Sequence, residues 1–330
     1  MRVLFSILFC LVGMCSWAQR GKIYTDLASA LKNKRSVYIL NLSEQQIREL
    51  PKDVRKLRKL EVINLSQNWL TAYPKQLRRN KHLKEINLNF NELQSVLIPR
   101  KNLRSIEKIS IVKNNLVSFP AYLLRAKKIK TINLSDNKIN ALPDNIGELK
   151  AIEVLIFYKN NISSIPSSFY DLSNLREFDF YYNKLSSIDS SIDKLEKLER
   201  IYLSYNSITT IPESICRLKK LKFLYLQKNK IEQLPYCFSS MNSLERIDIQ
   251  GNRFKYFPTE LLALPNLEEI DISTNNISLL PDELLKLPKL NLLMLRNNKL
   301  LFEGSNRSKN LNLIQQLSDK KVIVKYLMLD

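Results

Sequence analysis

A chain of 330 residues with 45% apolar side chains can bury a large core. Its five glycines leave little for a phosphate-cradling loop, and its single histidine, His82, leaves little for a histidine-based catalytic or metal centre. The net charge of +20 is uneven: residues 19–128 hold 24 Lys and Arg against 8 Asp and Glu, a net +16, while residues 129–330 hold 27 against 24, a net +3.

Residues 1–18 have the layout of a secretory signal peptide. Met1 and Arg2 give a positive start, Val3 to Gly13 is almost wholly apolar, and Ser16-Trp17-Ala18 places small residues three and one before a cut ahead of Gln19. The apolar run is too short for a membrane span, which needs ~20 residues. A lipoprotein reading fits poorly, because Met14 precedes Cys15 and Phe9 precedes Cys10. The mature chain is expected to start at Gln19, to hold no further membrane segment, and to be periplasmic, at the cell surface or extracellular.

Residues 19–36 read as an N-terminal cap, with Leu27 and Leu31 on one helical face. A repeat then takes over at 37–304. Asn68, Asn91, Asn114, Asn137, Asn160, Asn183, Asn206, Asn229, Asn252, Asn275 and Asn298 are each 23 residues apart, and Gln45 holds the place in the first of twelve repeats. Repeat five shows the surrounding pattern: Ile129, Ile132, Leu134, Asn137, Ile139, Leu142, Pro143. Ile132 and Leu134 alternate with polar neighbours at period two, the mark of a half-buried strand. The asparagine ends the strand, and its buried amide needs partners that the neighbouring turn's backbone can supply. Pro143 opens the return segment, which carries apolar anchors such as Ile146 and Leu149. No single repeat can bury its own apolar face, so the repeats must stack as a solenoid. Leu97 and Asp189 replace the proline in repeats three and seven, and Arg100 replaces an anchor, so a local irregularity is expected at each. The array stops at Glu303-Gly304, and residues 305–330 read as a C-terminal cap: a helix to about Leu317, then a strand at Val322–Val324.

Over residues 37–303 this pattern resembles the leucine-rich-repeat family, in its short 23-residue Leu-Pro form known from exported bacterial proteins and plant Ras-group proteins. The resemblance implies an α/β solenoid, a horseshoe with a concave parallel β-sheet and a convex face of loops and 3₁₀ turns. It fixes a scaffold and not a ligand.

On that scaffold the residues flanking the inward strand positions face the concave side. The central column reads Asn41, Asn64, Asn87, Ser110, Asn133, then changes to Ile156, Asp179, Tyr202, Tyr225; the next exposed column reads Tyr158, Tyr181, Ser204, Gln227. With Tyr182, Tyr205 and Phe223, repeats six to nine present seven aromatics on one adjoining patch: Tyr158, Tyr181, Tyr182, Tyr202, Tyr205, Phe223 and Tyr225. Tyrosine suits interfaces, with an apolar body and a wet tip, although it also favours exposed strands on its own account.

The expected function is a non-enzymatic, exported protein-binding scaffold with its partner on this patch, and with no cofactor, catalytic residue or metal site. The alternative uses the basic end. Arg55, Lys56, Arg58, Lys59, Arg78, Arg79, Lys81, Arg100, Lys101, Arg104, Lys127 and Lys128 fall mainly on return segments, and would stack into a convex ridge for an anionic envelope or polysaccharide. Nucleic acid fits least, because no aromatics interleave with those lysines. Cys216 and Cys237, in adjacent repeats, could form a disulfide or remain two structural thiols.

Overall fold

The computed structural model describes residues 21–300 and 305–326. The expected signal peptide, with Cys10 and Cys15, lies outside them, as does Glu303-Gly304. The chain divides into two compact units: a first up to Asn115 that also takes in Arg125–Ile129, and a second of Leu116–Leu124 and everything from Lys130 onward.

In both units each repeat contributes one three-residue strand, and successive strands pair in parallel 23 residues apart. In the first unit Asn41, Asn64, Asn87 and Ser110 stand in register. In the second, Asn133, Ile156, Asp179, Tyr202, Tyr225, Asp248, Asp271 and Met294 do so. Every strand's middle residue, from Leu40 to Leu293, is buried. The strands are short because the asparagine turn interrupts them. The residue before each ladder asparagine takes a left-handed φ of about +55°, as at Gln67, Lys159, Tyr182 and Tyr205, which swings the chain off the sheet.

The ladder is built from side chain to backbone. The Asn160 carboxamide oxygen accepts from the Ile139 N–H of the preceding repeat (3.0 Å), and its amide donates to the Leu134 carbonyl (3.0 Å) and to its own Phe157 carbonyl (3.1 Å). Asn68, Asn91, Asn229 and Asn275 repeat the pattern. Gln45 stays outside it, exposed, and donates to the Thr25 carbonyl at 2.7 Å.

Return segments are mostly 3₁₀ turns, and the sequence shows why. Proline's fixed φ suits the entry, and its carbonyl accepts the first turn's N–H, as from Ile215 to Pro212 at 3.1 Å. Apolar residues then recur every three positions: Ile215, Leu218, Leu221 or Leu261, Leu264, Leu267, all buried. Only the first of each triplet lies within its 3₁₀ turn, Glu213–Arg217 or Thr259–Ala263; the other two turn inward after it ends. Gly147 is required for close stacking, since a Cβ there would lie 2.3 Å from the Ser168 carbonyl oxygen.

The two irregularities expected from the sequence have different outcomes. Repeat three departs: Leu97 is exposed, Pro99 opens the return two residues late, and Arg100–Leu103 forms a helical turn with Arg100 outside and Asn102 inside. Repeat seven does not. Asp189 caps its 3₁₀ turn by accepting from the Ser191 N–H at 2.8 Å, doing with a side chain what proline does with its ring.

The two ends differ from the sequence reading in detail. At the N-terminal end a strand at Ile23–Tyr24, not foreseen, pairs with Ile39–Leu40, and the helix spans Leu27–Lys32 with Asp26 as its cap. At the other end the helix spans Ser305–Asp319. The strand following it is Ile323–Lys325, one residue later than expected, because Val322 turns inward and is buried.

Candidate binding face

The strand alternation decides which aromatics can meet a partner. Phe157, Phe180, Leu203 and Leu226 are fully buried. Their neighbours point the other way: Tyr158 and Tyr182 are 36% and 43% exposed, and Tyr181, Tyr202, Tyr205, Phe223 and Tyr225 are half-buried. Beneath them Phe157, Phe169, Phe178 and Phe180 form one aromatic core, with ring centres 5.3–5.8 Å apart.

Six of the seven candidate aromatics fall into two ring groups. Tyr158, Tyr181, Tyr182 and Tyr205 form one, at the strand exits: Tyr158 meets Tyr181 at 5.3 Å, Tyr181 meets Tyr182 at 4.9 Å, and Tyr182 stacks on Tyr205 at 4.2 Å. Tyr202 and Tyr225 form the second, each the last residue of its strand, stacked 4.8 Å apart and only 3° from parallel. Phe223 joins neither group and carries a cation over its ring. The Arg200 guanidinium lies 5.1 Å from its centre, 4.0 Å from Glu177 and 3.7 Å from Glu199. Arg246 does the same for Tyr225, 5.5 Å from the ring centre and 2.7 Å from Glu269.

Charges on the strand starts are closely matched across neighbouring repeats. Arg176 reaches Glu199 at 2.6 Å and Lys222 reaches Glu245 at 2.7 Å. Asp179 stands apart. Its carboxylate accepts the Tyr181 N–H at 2.7 Å and has no cation partner among the described residues. Burial pushes its pKa up to about 7, against the pull of that N–H, and Glu177 adds to the rise. Burial also raises the Tyr202 phenol well above its ordinary range.

Two residues placed in an exposed column are not exposed. Ser204 is fully buried and Gln227 is 4% exposed. The cysteine question is closed: Cys216 and Cys237 form a disulfide with Cα atoms 5.9 Å apart, joining successive 3₁₀ turns on the return side.

In the first unit the basic side chains stand where the repeat puts them. Lys56, Arg58, Arg78, Arg79, Lys81, Arg100, Lys101, Arg104, Lys127 and Lys128 are exposed, Arg55 is half-buried, and Lys56 pairs with Asp53 at 2.9 Å. Lys59 turns instead toward Tyr38, 5.7 Å from its ring centre. Sequence reasoning overlooked two aromatics of this unit: Trp69, under Arg48 at 5.2 Å, and Phe90, under Lys113 at 5.2 Å. Phe90 occupies the same left-handed position as Tyr182 and Tyr205, so reading that column would have found it. Among the described residues no group of His, Cys, Asp or Glu is arranged to hold a metal ion, and no helix is long and apolar enough to cross a membrane.

Family profiles described as leucine rich repeat match residues 35–95, 127–185, 150–208, 182–231, 196–254 and 266–287, more than half of the chain. No curated protein sequence matches the chain. Among solved structures, a leucine-rich-repeat protein of Leptospira interrogans is 29% identical with a TM-score of 0.77, over 94% of this chain and 82% of that one. An internalin of Listeria monocytogenes shares the fold at 17% identity and a TM-score of 0.70, over 91% and 89%. Toll from Drosophila, solved in complex with Spatzle, is 26% identical with a TM-score of 0.70, over 81% of this chain and 39% of that chain. The chain belongs to the leucine-rich-repeat family.

Proposed function

We propose that this protein is an exported, non-enzymatic scaffold that takes a protein partner on the strand face of repeats six to nine. The observation carrying this reading is the tyrosine assembly. A scaffold needs apolar residues inside, yet six tyrosines stand outside the buried phenylalanines, in two groups of contacting rings. Such rings give a partner large rigid contact area at low entropic cost. The family's use of this fold as a binding scaffold supports the reading, as does the Toll structure solved with a protein partner. The disulfide fits an oxidising compartment, in line with cleavage ahead of Gln19. Intact mass from a secreting host should begin at Gln19; a cytosolic protein beginning at Met1 would rule the export out.

The face itself is tested by photo-crosslinking. A benzoyl-phenylalanine at Tyr205 should give a protein adduct in the native organism. The same group at Tyr236, 87% exposed but on the return side, should give none. Adducts at Tyr236 alone would move the site off the strand face.

A second reading rests on a separate observation, the row of exposed cations on the return segments of the first unit. Here the protein holds to an anionic glycan or envelope surface. Salt separates the two: attraction to a polyanion falls steeply with ionic strength, and tyrosine contacts fall much less.

A further inference from the structure

The strand face of the second unit holds two complete sets of three groups: an aromatic ring, a guanidinium over it, and a carboxylate gripping that guanidinium. Phe223, Arg200 and Glu177 with Glu199 make one. Tyr225, Arg246 and Glu269 make the other. Tyr202 and Asp179 repeat the ring and the carboxylate. They stand in register on adjacent strands, and Tyr225 covers the ring's opposite side. Among the described residues no cation reaches this third set, and Arg200 lies over Phe223 instead.

The fold's bond at this position does not need a charge, although Asp248 and Asp271 make it too. Asp179 accepts the N–H two residues on, but Asn41, Asn64, Asn87 and Asn133 make the same bond at 3.0–3.1 Å without a charge. The surrounding balance points the same way. On the strand starts and centres of repeats seven to ten every cation is paired: Arg176, Arg200, Lys222 and Arg246. Among the carboxylates there and in the next repeat, Asp179, Glu268 and Asp271 have no cation partner among the described residues. This face therefore has a surplus of negative charge on a protein whose net charge is +20.

We infer that the partner of this face is a basic polypeptide segment, and that Asp179 and Tyr202 together receive one of its lysine or arginine side chains. The cation completes the third set as Arg246 completes the second, lying on the Tyr202 ring with its charge against Asp179. This rests on the tyrosine face being the docking site, and the test separates the two.

A random dodecapeptide library is selected against the full mature protein, and selected peptides are measured on wild type, Asp179→Asn, and Tyr181→Ala with Tyr202→Ala. Asparagine keeps the bond to the Tyr181 N–H, so thermal melting should confirm that Asp179→Asn is folded. The expected result is enrichment of Lys and Arg, with affinity falling tenfold or more on Asp179→Asn, a difference of about 1.4 kcal/mol, and also on the double variant. Peptides that need the tyrosines but lack cations and ignore Asp179→Asn would overturn the inference and leave the docking face standing. Peptides indifferent to the tyrosines, or an empty selection, would count against both.

Discussion

The two units share a repeat and a hydrogen-bond ladder, and differ in what they display. The central strand column of the first carries Asn41, Asn64, Asn87 and Ser110; that of the second runs through Asp179, Tyr202, Tyr225, Asp248 and Asp271. Within each unit the column stands in parallel register, with buried residues on either side along the chain. The first unit puts a row of exposed basic residues on the return segments, Arg78, Arg79, Lys101 and Arg104 among them. The second keeps rings and paired charges on the strands. Stability in this architecture comes from inward residues and the asparagines, and that leaves the outward columns to diverge.

Removing inward residues should hurt most. Phe180→Ala deletes a ring packed against Phe157, Phe169 and Phe178, and should cost about 3–5 kcal/mol in denaturant unfolding. A loss below 1 kcal/mol would show that the strand phase is wrong. The second unit also has a covalent staple. Replacing Cys216 and Cys237 with serine reopens a loop of 21 residues' separation and should cost about 3 kcal/mol. A reducing agent should lower the wild-type melting temperature and leave the serine variant unchanged.

The ladder should not distinguish the units. Asn91→Leu and Asn160→Leu each strand one backbone N–H and two or more carbonyls, so each should cost about 1–3 kcal/mol. Lys159→Ala, which removes only an exposed pair with Asp136, should cost under about 0.5 kcal/mol. Unequal costs at the two asparagines would mean that the ladder does not serve both units alike.

Much of this was legible in the sequence because a strict 23-residue period fixes register, and register fixes which side chains turn inward. Phe157 and Phe180 could be placed inside, and Tyr158 and Tyr181 on the opposite side, from alternation alone. What stayed hidden depends on neighbours outside the repeat's own column. Cys237 lies 21 residues after Cys216, two short of the repeat, and only the pitch of the 3₁₀ turns brings them together. Ser204 is buried because of the side chains beside it. Asp189 was misread as a defect because a capping side chain can replace a proline. Asp179 was visible in its column, but its significance depends on where Arg200 and Arg246 point, and one sequence does not show that.

The stability effect at Asp179 depends on pH. Its folded pKa, about 7, lies above the ordinary carboxylate value, so the folded chain holds this proton more tightly than the unfolded one. The resulting stabilisation is present below pH 4 and lost as pH rises through 7. Asp179→Asn should therefore melt higher than wild type above pH 7, by about 1–2 kcal/mol once partial exposure is allowed for, with the gain vanishing toward pH 4. A gain independent of pH would remove the charge from the explanation.

The separation of scaffold from display is tested most directly by Tyr181→Ala with Tyr202→Ala, measured for melting temperature and for capture of the native partner. These rings lie outside the buried core and make contacts with one another worth about 1 kcal/mol each. The predicted result is a melting temperature lowered by only a few degrees together with loss of capture. Capture at the wild-type level would contradict the account: the tyrosines would then be strand-favouring surface, and binding would have to be sought on the basic return segments of the first unit.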